Sequence, residues 1–193
     1  MKKLILMTAI GLAALSFQAC NNQQANNNDA KDSLDSLNEQ PMVQTVEDDS
    51  EFLTKAASGG MTEVELGKIA QEKSQNAKVK EFGAMMVKDH SMANDELKQL
   101  AMSKNVSLPE APLAKHQEGI DKLKEKSGAD FDKDYVDMMV SDHKETIDLF
   151  KDAAENAKDA DVKAFAGKTL PTLESHLQHI QQIQDSMNKN LEH

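Results

Sequence analysis

Apolar residues recur at helical spacing along most of the chain, from Phe52 to Met187. Successive apolar positions lie three or four residues apart, which is typical of helices that bury one face. Capping and turn residues divide the pattern into four long helices and one short helix, with breaks at Asn76, Asn105–Pro112, Gly128 and Asp159. The pattern therefore predicts an all-α fold.

The start of the first helix has two interpretations. Asp49 or Ser50 is a suitable N-terminal cap for a helix whose apolar face begins at Phe52. Gly59 and Gly60 each cost a helix interior about 1 kcal/mol relative to alanine. They predict a kink or a close contact with another helix, or else a helix that begins only after Gly60.

The second half of the chain predicts a connector and a second helix pair. The short helix runs from about Leu113 to Lys126, and the fourth helix begins near Phe131. The fifth begins at Asp159 or Asp161 and contains Pro171. Because proline removes a helical hydrogen bond, we expect the axis to bend at this residue.

One short segment occurs twice. Met85–His90 reads Met-Met-Val-Lys-Asp-His, and Met138–His143 reads Met-Met-Val-Ser-Asp-His. In both copies the histidine falls on the apolar face of the predicted helix, where a core side chain is expected. The repeat indicates two equivalent helices, each carrying a histidine towards the core.

One polar residue interrupts the apolar face of each long helix: Glu63, His90, His143 and His176. Residues equally far from the turn of an antiparallel helix pair lie at equal height. Glu63 and His90 are equally far from the turn at Asn76, and His143 and His176 from the turn at Asp159. If the two hairpins lie side by side, we expect all four side chains to converge.

Three imidazoles and a carboxylate are suitable ligands for one divalent transition metal ion, with Zn, Fe, Mn and Cu as candidates. Asp89 and Asp142 precede two of the histidines, and we expect them to orient imidazoles of neighbouring helices. The alternative is a buried polar cluster that only fixes the register of the helices.

Weaker candidates lie nearby. Met86 and Met139, one turn before two of the histidines, suggest Cu(I), although methionine at helical spacing more often fills a core. His179 has ligand spacing from His176 but is expected at the surface. His116, on the short helix, is the weakest candidate for a metal ligand.

Charge and composition exclude several function classes. The formal net charge is -11, which disfavours nucleic acid as a partner. The chain contains no arginine, so the bidentate clamp commonly used for phosphate is missing. Cys20 is the single cysteine, which excludes an intramolecular disulfide and a cysteine-based zinc cluster.

The position of Cys20 indicates a membrane anchor. Residues 1–19 combine two lysines, an apolar run and Ala19 before the cysteine, which is typical of a lipoprotein signal peptide. An ordinary secretory signal is the alternative. We expect lipidation of Cys20, a disordered tether over residues 20–48 and a helical bundle over residues 49–190. Leu191–His193 resembles the remnant of an expression tag.

Several separated motifs carry a family resemblance: Ala57–Gly67, Met86–Ser91, Asp142–Lys144 and Lys168–His176. In this order they resemble the domain of unknown function 4142 family of bacterial envelope proteins. The resemblance implies a ferritin-like four-helix bundle of two antiparallel hairpins with a short connecting helix, and a location in the cell envelope, at the periplasmic face or outer membrane. It implies no substrate.

The functional hypotheses differ in what the polar residues do. A lipid-anchored metal-binding protein is favoured over a structural or interaction module. An oxidase or peroxidase ranks last, because no acid, base or nucleophile set accompanies the candidate ligands. The chain also lacks the Glu-x-x-His motif of di-iron bundles. Enzymatic activity is therefore left open, with a non-catalytic role favoured.

Overall fold

The computed structural model describes residues 41–191, which form five α-helices and, within that range, no strand. The helices are α1 Pro41–Lys73, α2 Ala77–Ser103, α3 Ala114–Lys124, α4 Gly128–Asn156 and α5 Ala160–Leu191. The all-α prediction is confirmed. Among the described helices, none combines the length and apolar character that a membrane crossing requires. The predicted signal peptide, Cys20, the tether up to residue 40 and residues 192–193 lie outside the described range.

The helices form a bundle of two hairpins. α1 packs along α2, and α4 packs along α5. Between the hairpins, α1 contacts α4 and α2 contacts α5, while α3 lies against α1 and α4. The four long helices therefore surround a common core.

The core consists of two apolar clusters separated along the bundle. One cluster contains Ala70 and Val79, next to the α1–α2 turn. The other contains Ala153 and Val162, next to the α4–α5 turn. The two turns therefore lie at opposite ends, and the connection through α3 runs along the bundle.

A polar layer separates these clusters. On every long helix the residues of one cluster lie before the candidate ligand in sequence, and those of the other lie after it. The layer consists of Glu63, His90, His143 and His176, which are all buried. Each residue lies near the middle of its helix, so the four side chains are level although the turns are at opposite ends.

Short polar side chains set the helix ends as predicted. Asn76 is the N-cap of α2, and its side chain accepts a hydrogen bond from the Lys78 N–H. Asp159 accepts hydrogen bonds from the N–H groups of Asp161 and Val162 at the start of α5. Asn105 adopts the left-handed conformation, with φ of 56°, just after α2.

The predicted start of the first helix is wrong. α1 begins at Pro41 and continues through Gly59 and Gly60, so neither Asp49 nor Ser50 caps it. The buried carboxylate of Asp49 instead accepts hydrogen bonds from two N–H groups of the α4–α5 turn, at Lys158 and Asp159. Sequence pattern identified a capping residue but assigned it to its own helix, because the distant N–H donors meet it only through a tertiary contact.

The fourth helix also begins earlier than predicted, at Gly128 rather than near Phe131. Gly128 has a φ of +59°, so glycine supplies a turn conformation at the first residue of α4. Phe131 is fully buried one turn later. Pro171 lies inside α5 as expected, and the bend at this residue stays a prediction.

Glycines allow α1 and α2 to approach closely. A Cβ atom on Gly83 would lie 2.7 Å from the Gly67 carbonyl oxygen, and one on Gly67 would lie 2.6 Å from the Gly83 carbonyl oxygen. A Cβ atom on Gly60 would overlap the side chain of Asn94. The close helix contact expected at the paired glycines is therefore present at Gly60, while Gly59 faces open space.

Candidate metal centre

The structure brings together three of the predicted ligands most closely. His90, His143 and His176, referred to below as the histidine trio, each offer one atom that lies within 4.8 Å of the others. The ring centroids are 5.4 to 5.9 Å apart. The three rings come from α2, α4 and α5, so the site requires both hairpins.

One nitrogen of each ring is held by the protein. His90 Nδ1 donates to Glu63 Oε2 at 2.9 Å, and His176 Nε2 donates to Asp89 Oδ2 at 3.1 Å. His143 Nδ1 donates to the carbonyl oxygen of Met139 at 2.9 Å. An acceptor on one ring nitrogen places the proton there and leaves the lone pair on the other nitrogen.

The other nitrogen of each ring has no hydrogen-bond partner: His90 Nε2, His143 Nε2 and His176 Nδ1. A buried polar atom without a partner costs about 1 to 3 kcal/mol. Three such nitrogens, each with a lone pair when its ring is neutral, are the donor set that zinc and related ions accept. The residues present therefore fit a transition metal ion.

Glu63 occupies an outer position in this arrangement. Its carboxylate contacts the Nδ1 atoms of His90 and His143, at 2.9 and 3.4 Å, rather than joining the group within 4.8 Å. Sequence pattern predicted it as a fourth ligand. The structure instead places it beside the ring nitrogens whose opposite atoms lack partners. Glu65 faces outward and pairs with Lys124 at 2.6 Å, so Glu63 is the inward carboxylate of the two.

Electrostatics keep Glu63 ionised. Burial by itself raises the pKa of this carboxyl, but the nearby His90 and His143 rings outweigh burial and lower the pKa to about 2. Burial likewise opposes protonation of His90, whereas the Glu63 carboxylate raises its pKa. The pair behaves as a buried charge-assisted hydrogen bond linking α1 to α2.

The other two rings favour the neutral form. Burial lowers the pKa of His143, and burial together with the neighbouring His90 lowers the pKa of His176 to about 4. A neutral imidazole is the form that binds a metal ion. At neutral pH these two rings therefore need not lose a proton before they bind a metal ion.

The two predicted orienting carboxylates differ in outcome. Asp89, on α2, contacts His176 of the neighbouring helix α5, as expected. Asp142 has no hydrogen bond to a histidine among the described residues, and the acceptor at His143 is the Met139 carbonyl rather than a carboxylate from a neighbouring helix. Asp142 instead lines a cavity, where burial and the Glu63 charge raise its pKa to about 7.

The weaker candidates lie outside the trio. Met86 and Met139 are fully buried in one apolar cluster, which favours core packing as their role. His179 is half-buried, and its ring meets the Phe82 ring edge to face, with the two ring centroids 5.8 Å apart. It is thus less exposed than predicted.

Sequence pattern did not identify the role of His116. Its Nδ1 accepts a hydrogen bond from the buried Ser58 hydroxyl at 2.6 Å, and Ser58 Oγ accepts one from the Leu113 N–H at 2.8 Å. These contacts attach the start of α3 to α1. No local signal predicts a pairing between residues so distant in sequence.

Comparisons with known proteins agree with this fold. A crystal structure of a conserved hypothetical protein, Rv2844, from Mycobacterium tuberculosis has a TM-score of 0.59 and 18% sequence identity. The match covers 73% of this chain and 93% of that one, and it shows similarity of fold. No curated protein matches the chain. The family model described as a domain of unknown function, DUF4142, matches residues 21–183, and the chain therefore belongs to the DUF4142 family.

Proposed function

We propose that this protein binds one divalent transition metal ion in the core of its helical bundle, through the histidine trio. One observation carries the proposal: three buried imidazoles each offer a ligand atom within 4.8 Å of the other two, and each ring has one nitrogen without a hydrogen-bond partner. Glu63, Asp89 and the Met139 carbonyl hold the opposite nitrogens. Acceptors of this kind orient metal-binding imidazoles and increase their basicity.

Three nitrogen ligands leave a position open on a four-coordinate ion. Water is suited to that position. Zn, Fe, Mn and Cu are the candidates, and imidazole nitrogen favours Zn, Cu and Fe over Mn. The absence of a Glu-x-x-His motif argues for a mononuclear site rather than a carboxylate-bridged pair.

The first experiment measures metal content and melting temperature of the full chain after chelation and after titration with each of the four ions. We expect near-stoichiometric binding of at least one ion and a raised melting temperature. Both should be lost in the double variant His90→Ala, His143→Ala. His179→Gln, which changes a histidine outside the trio, is the matched control and should bind as the parent does.

The competing function is a non-catalytic structural or interaction module. The ion pair between Glu63 and His90 supports it, because a buried polar layer fixes helix register without metal. In that case no ion is retained by the parent, and the double variant changes only the stability of the bundle. That result would reject metal binding and direct attention to protein partners.

We also propose that the chain is a lipoprotein of the bacterial cell envelope, anchored through Cys20. Support comes from the lysines, the apolar run and the small residue that precede this cysteine. Cys20→Ser should abolish incorporation of labelled fatty acid and move the protein from the membrane fraction to the soluble fraction. If the parent incorporates no labelled fatty acid, and parent and variant fractionate alike, these results would contradict the anchor.

We further propose a ferritin-like arrangement of the bundle. The one long connection through α3, with hairpin turns at opposite ends, is the topology that such bundles use. An experimental structure with a different helix order around the core would reject it.

A further inference from the structure

A cavity of about 390 Å³ lies beside the polar layer, between α1, α3 and α4. Exposed side chains form its rim: Lys55, Lys115 and Glu145. Its floor includes the buried residues Thr62 and Glu63. The cavity therefore leads from the surface to the layer that contains the histidine trio.

Glu63 connects this cavity to the trio. The residue is 2% exposed, and its Oε1 atom lacks a hydrogen-bond partner. Its Oε2 atom accepts the hydrogen bond from His90, and Oε1 lies 3.4 Å from His143 Nδ1. One carboxylate thus borders the cavity on one side and two of the candidate ligands on the other.

The charges inside the cavity favour a cation. Lys115 pairs with Glu145 at 3.2 Å, and Lys55 pairs with Glu51 at 2.5 Å. The half-buried Asp142 and the buried Glu63 contribute two further carboxylates below the rim. Carboxylates in a confined cleft raise the local concentration of cations.

The size of the cavity is also suitable. A cation with six bound waters needs roughly 180 Å³ when each water takes about 30 Å³. The cavity is large enough for such an ion, and its floor offers oxygen atoms of Thr62 and Glu63 as candidate ligands. A second cavity bordering the polar layer, between Glu63, His90 and Leu97, is smaller, with a volume of about 20 Å³.

We propose that this cavity is the entry route for the metal ion, with Asp142 and Glu63 as the carboxylates that receive the hydrated divalent cation before it reaches the histidine trio. This inference rests on the proposed metal-binding function. It adds a path for the ion and a charge that sets the rate of metal loading. Measurements of equilibrium binding test neither. Its direct consequence is that cavity variants change the rate of metal loading while the trio still sets the affinity.

The test follows Co²⁺ loading of the chelated full chain by stopped-flow absorbance at pH 8 and low salt. Asp142→Asn should slow loading about tenfold, because it removes a cation-attracting charge from the cavity. Stoichiometry at equilibrium should stay the same. Asp148→Asn removes an exposed carboxylate from the same helix outside the cavity and should load at the parent rate.

A second variant blocks the route sterically. Gly59 borders the cavity, and a Cβ atom added there meets no atom within 4 Å. Gly59→Phe should therefore fold and slow loading, whereas Gly167→Phe, at an exposed glycine of α5, should not slow it.

The outcomes separate the two proposals. Slow loading in both cavity variants, with parent stoichiometry and normal loading in both controls, supports the entry route. Parent loading rates in both cavity variants overturn the route but leave metal binding intact. Failure of the parent to bind Co²⁺, Zn²⁺ or the other candidate ions overturns the proposed function itself.

Discussion

At the scale of single residues, the two nitrogens of each trio imidazole have different surroundings. One donates to a protein acceptor, and the other has no hydrogen-bond partner, in rings that each offer a ligand atom within 4.8 Å of the other two. This asymmetry distinguishes a prepared ligand from a histidine that merely fills a core, because a structural histidine gains most when both nitrogens are satisfied. The acceptors therefore belong to the proposed site as much as the rings do.

Asp89 tests this view of the acceptors. Asp89→Ala removes the carboxylate that holds His176 Nε2 at 3.1 Å, so the ring is less well oriented. We expect metal affinity to fall about 10- to 100-fold, the usual effect of losing such an acceptor. A competition titration with a chromophoric chelator measures the metal affinity of the parent and the variant. Asp95→Ala, at an exposed position of the same helix, should leave affinity unchanged, and an equal loss there would contradict the assignment.

At the scale of helices, α1 and α2 are held together by shape as well as by apolar contact. Gly67 and Gly83 bring the two backbones close enough that each would place a Cβ atom within 3 Å of the other residue's carbonyl oxygen. The charge-assisted hydrogen bond between Glu63 and His90 lies farther along the same pair. The hairpin register and the polar layer therefore depend on each other.

Two glycine substitutions separate packing from helix propensity. Gly83→Ala should lower the free energy of unfolding by about 2 kcal/mol, because the new methyl group meets backbone that cannot move freely. Gly59→Ala should raise it by up to about 1 kcal/mol, since this glycine faces open space inside a helix. Chemical denaturation of both variants measures the difference. Equal effects at the two positions would contradict the close crossing.

The cap of α5 predicts a pH dependence. Hydrogen bonds from Lys104 and from the N–H groups of Asp161 and Val162 lower the pKa of Asp159 below its ordinary value of 3.8. A carboxyl with a lowered folded-state pKa stabilises the fold above its unfolded pKa, and this contribution disappears as pH falls through the folded pKa. Asp159→Asn should therefore cost at most about 1 kcal/mol at pH 7.

The free energies of unfolding of the parent and Asp159→Asn should converge as the pH is lowered from about 4 towards 2. Denaturation at a series of pH values checks this convergence, with Asp148→Asn as the control for loss of one carboxylate elsewhere. A difference that grows on acidification would have the wrong sign and reject the explanation.

At the scale of the whole molecule, the trio joins helices from both hairpins. His90 lies on α2, while His143 and His176 lie on α4 and α5. A bound ion would thus cross-link the two halves of the bundle near their centres, between the two apolar clusters. A metal ion bound at the proposed site would therefore also hold the two hairpins together.

Hydrogen exchange tests this cross-link. At a free metal concentration about 100 times the dissociation constant, binding adds about 2.7 kcal/mol of stability. Amides that exchange only on global unfolding should then exchange about 100-fold more slowly in α2, α4 and α5 together. The variant His90→Ala, His143→Ala should show no such change. Protection confined to one hairpin would contradict a site shared between the two.

Local sequence determined the elements of this protein. Helical periodicity, the caps at Asn76 and Asp159, and equal distances from the two turns predicted the hairpins and the level at which their polar residues meet. These features follow from contacts between near neighbours and from fixed helix geometry, so they are readable without a structure. The histidines were found because each interrupts an otherwise apolar face.

Tertiary structure decided what these elements do to one another. Asp49 caps a turn more than 100 residues away, Glu63 orients a ring instead of joining the trio, and a backbone carbonyl, that of Met139, is the acceptor at His143. Ser58 and His116 fix the connector through another distant contact. Such pairings depend on the distance and direction between side chains on different helices. Sequence spacing specifies the height of a residue along its own helix, whereas only packing determines which atom of a neighbouring helix it meets.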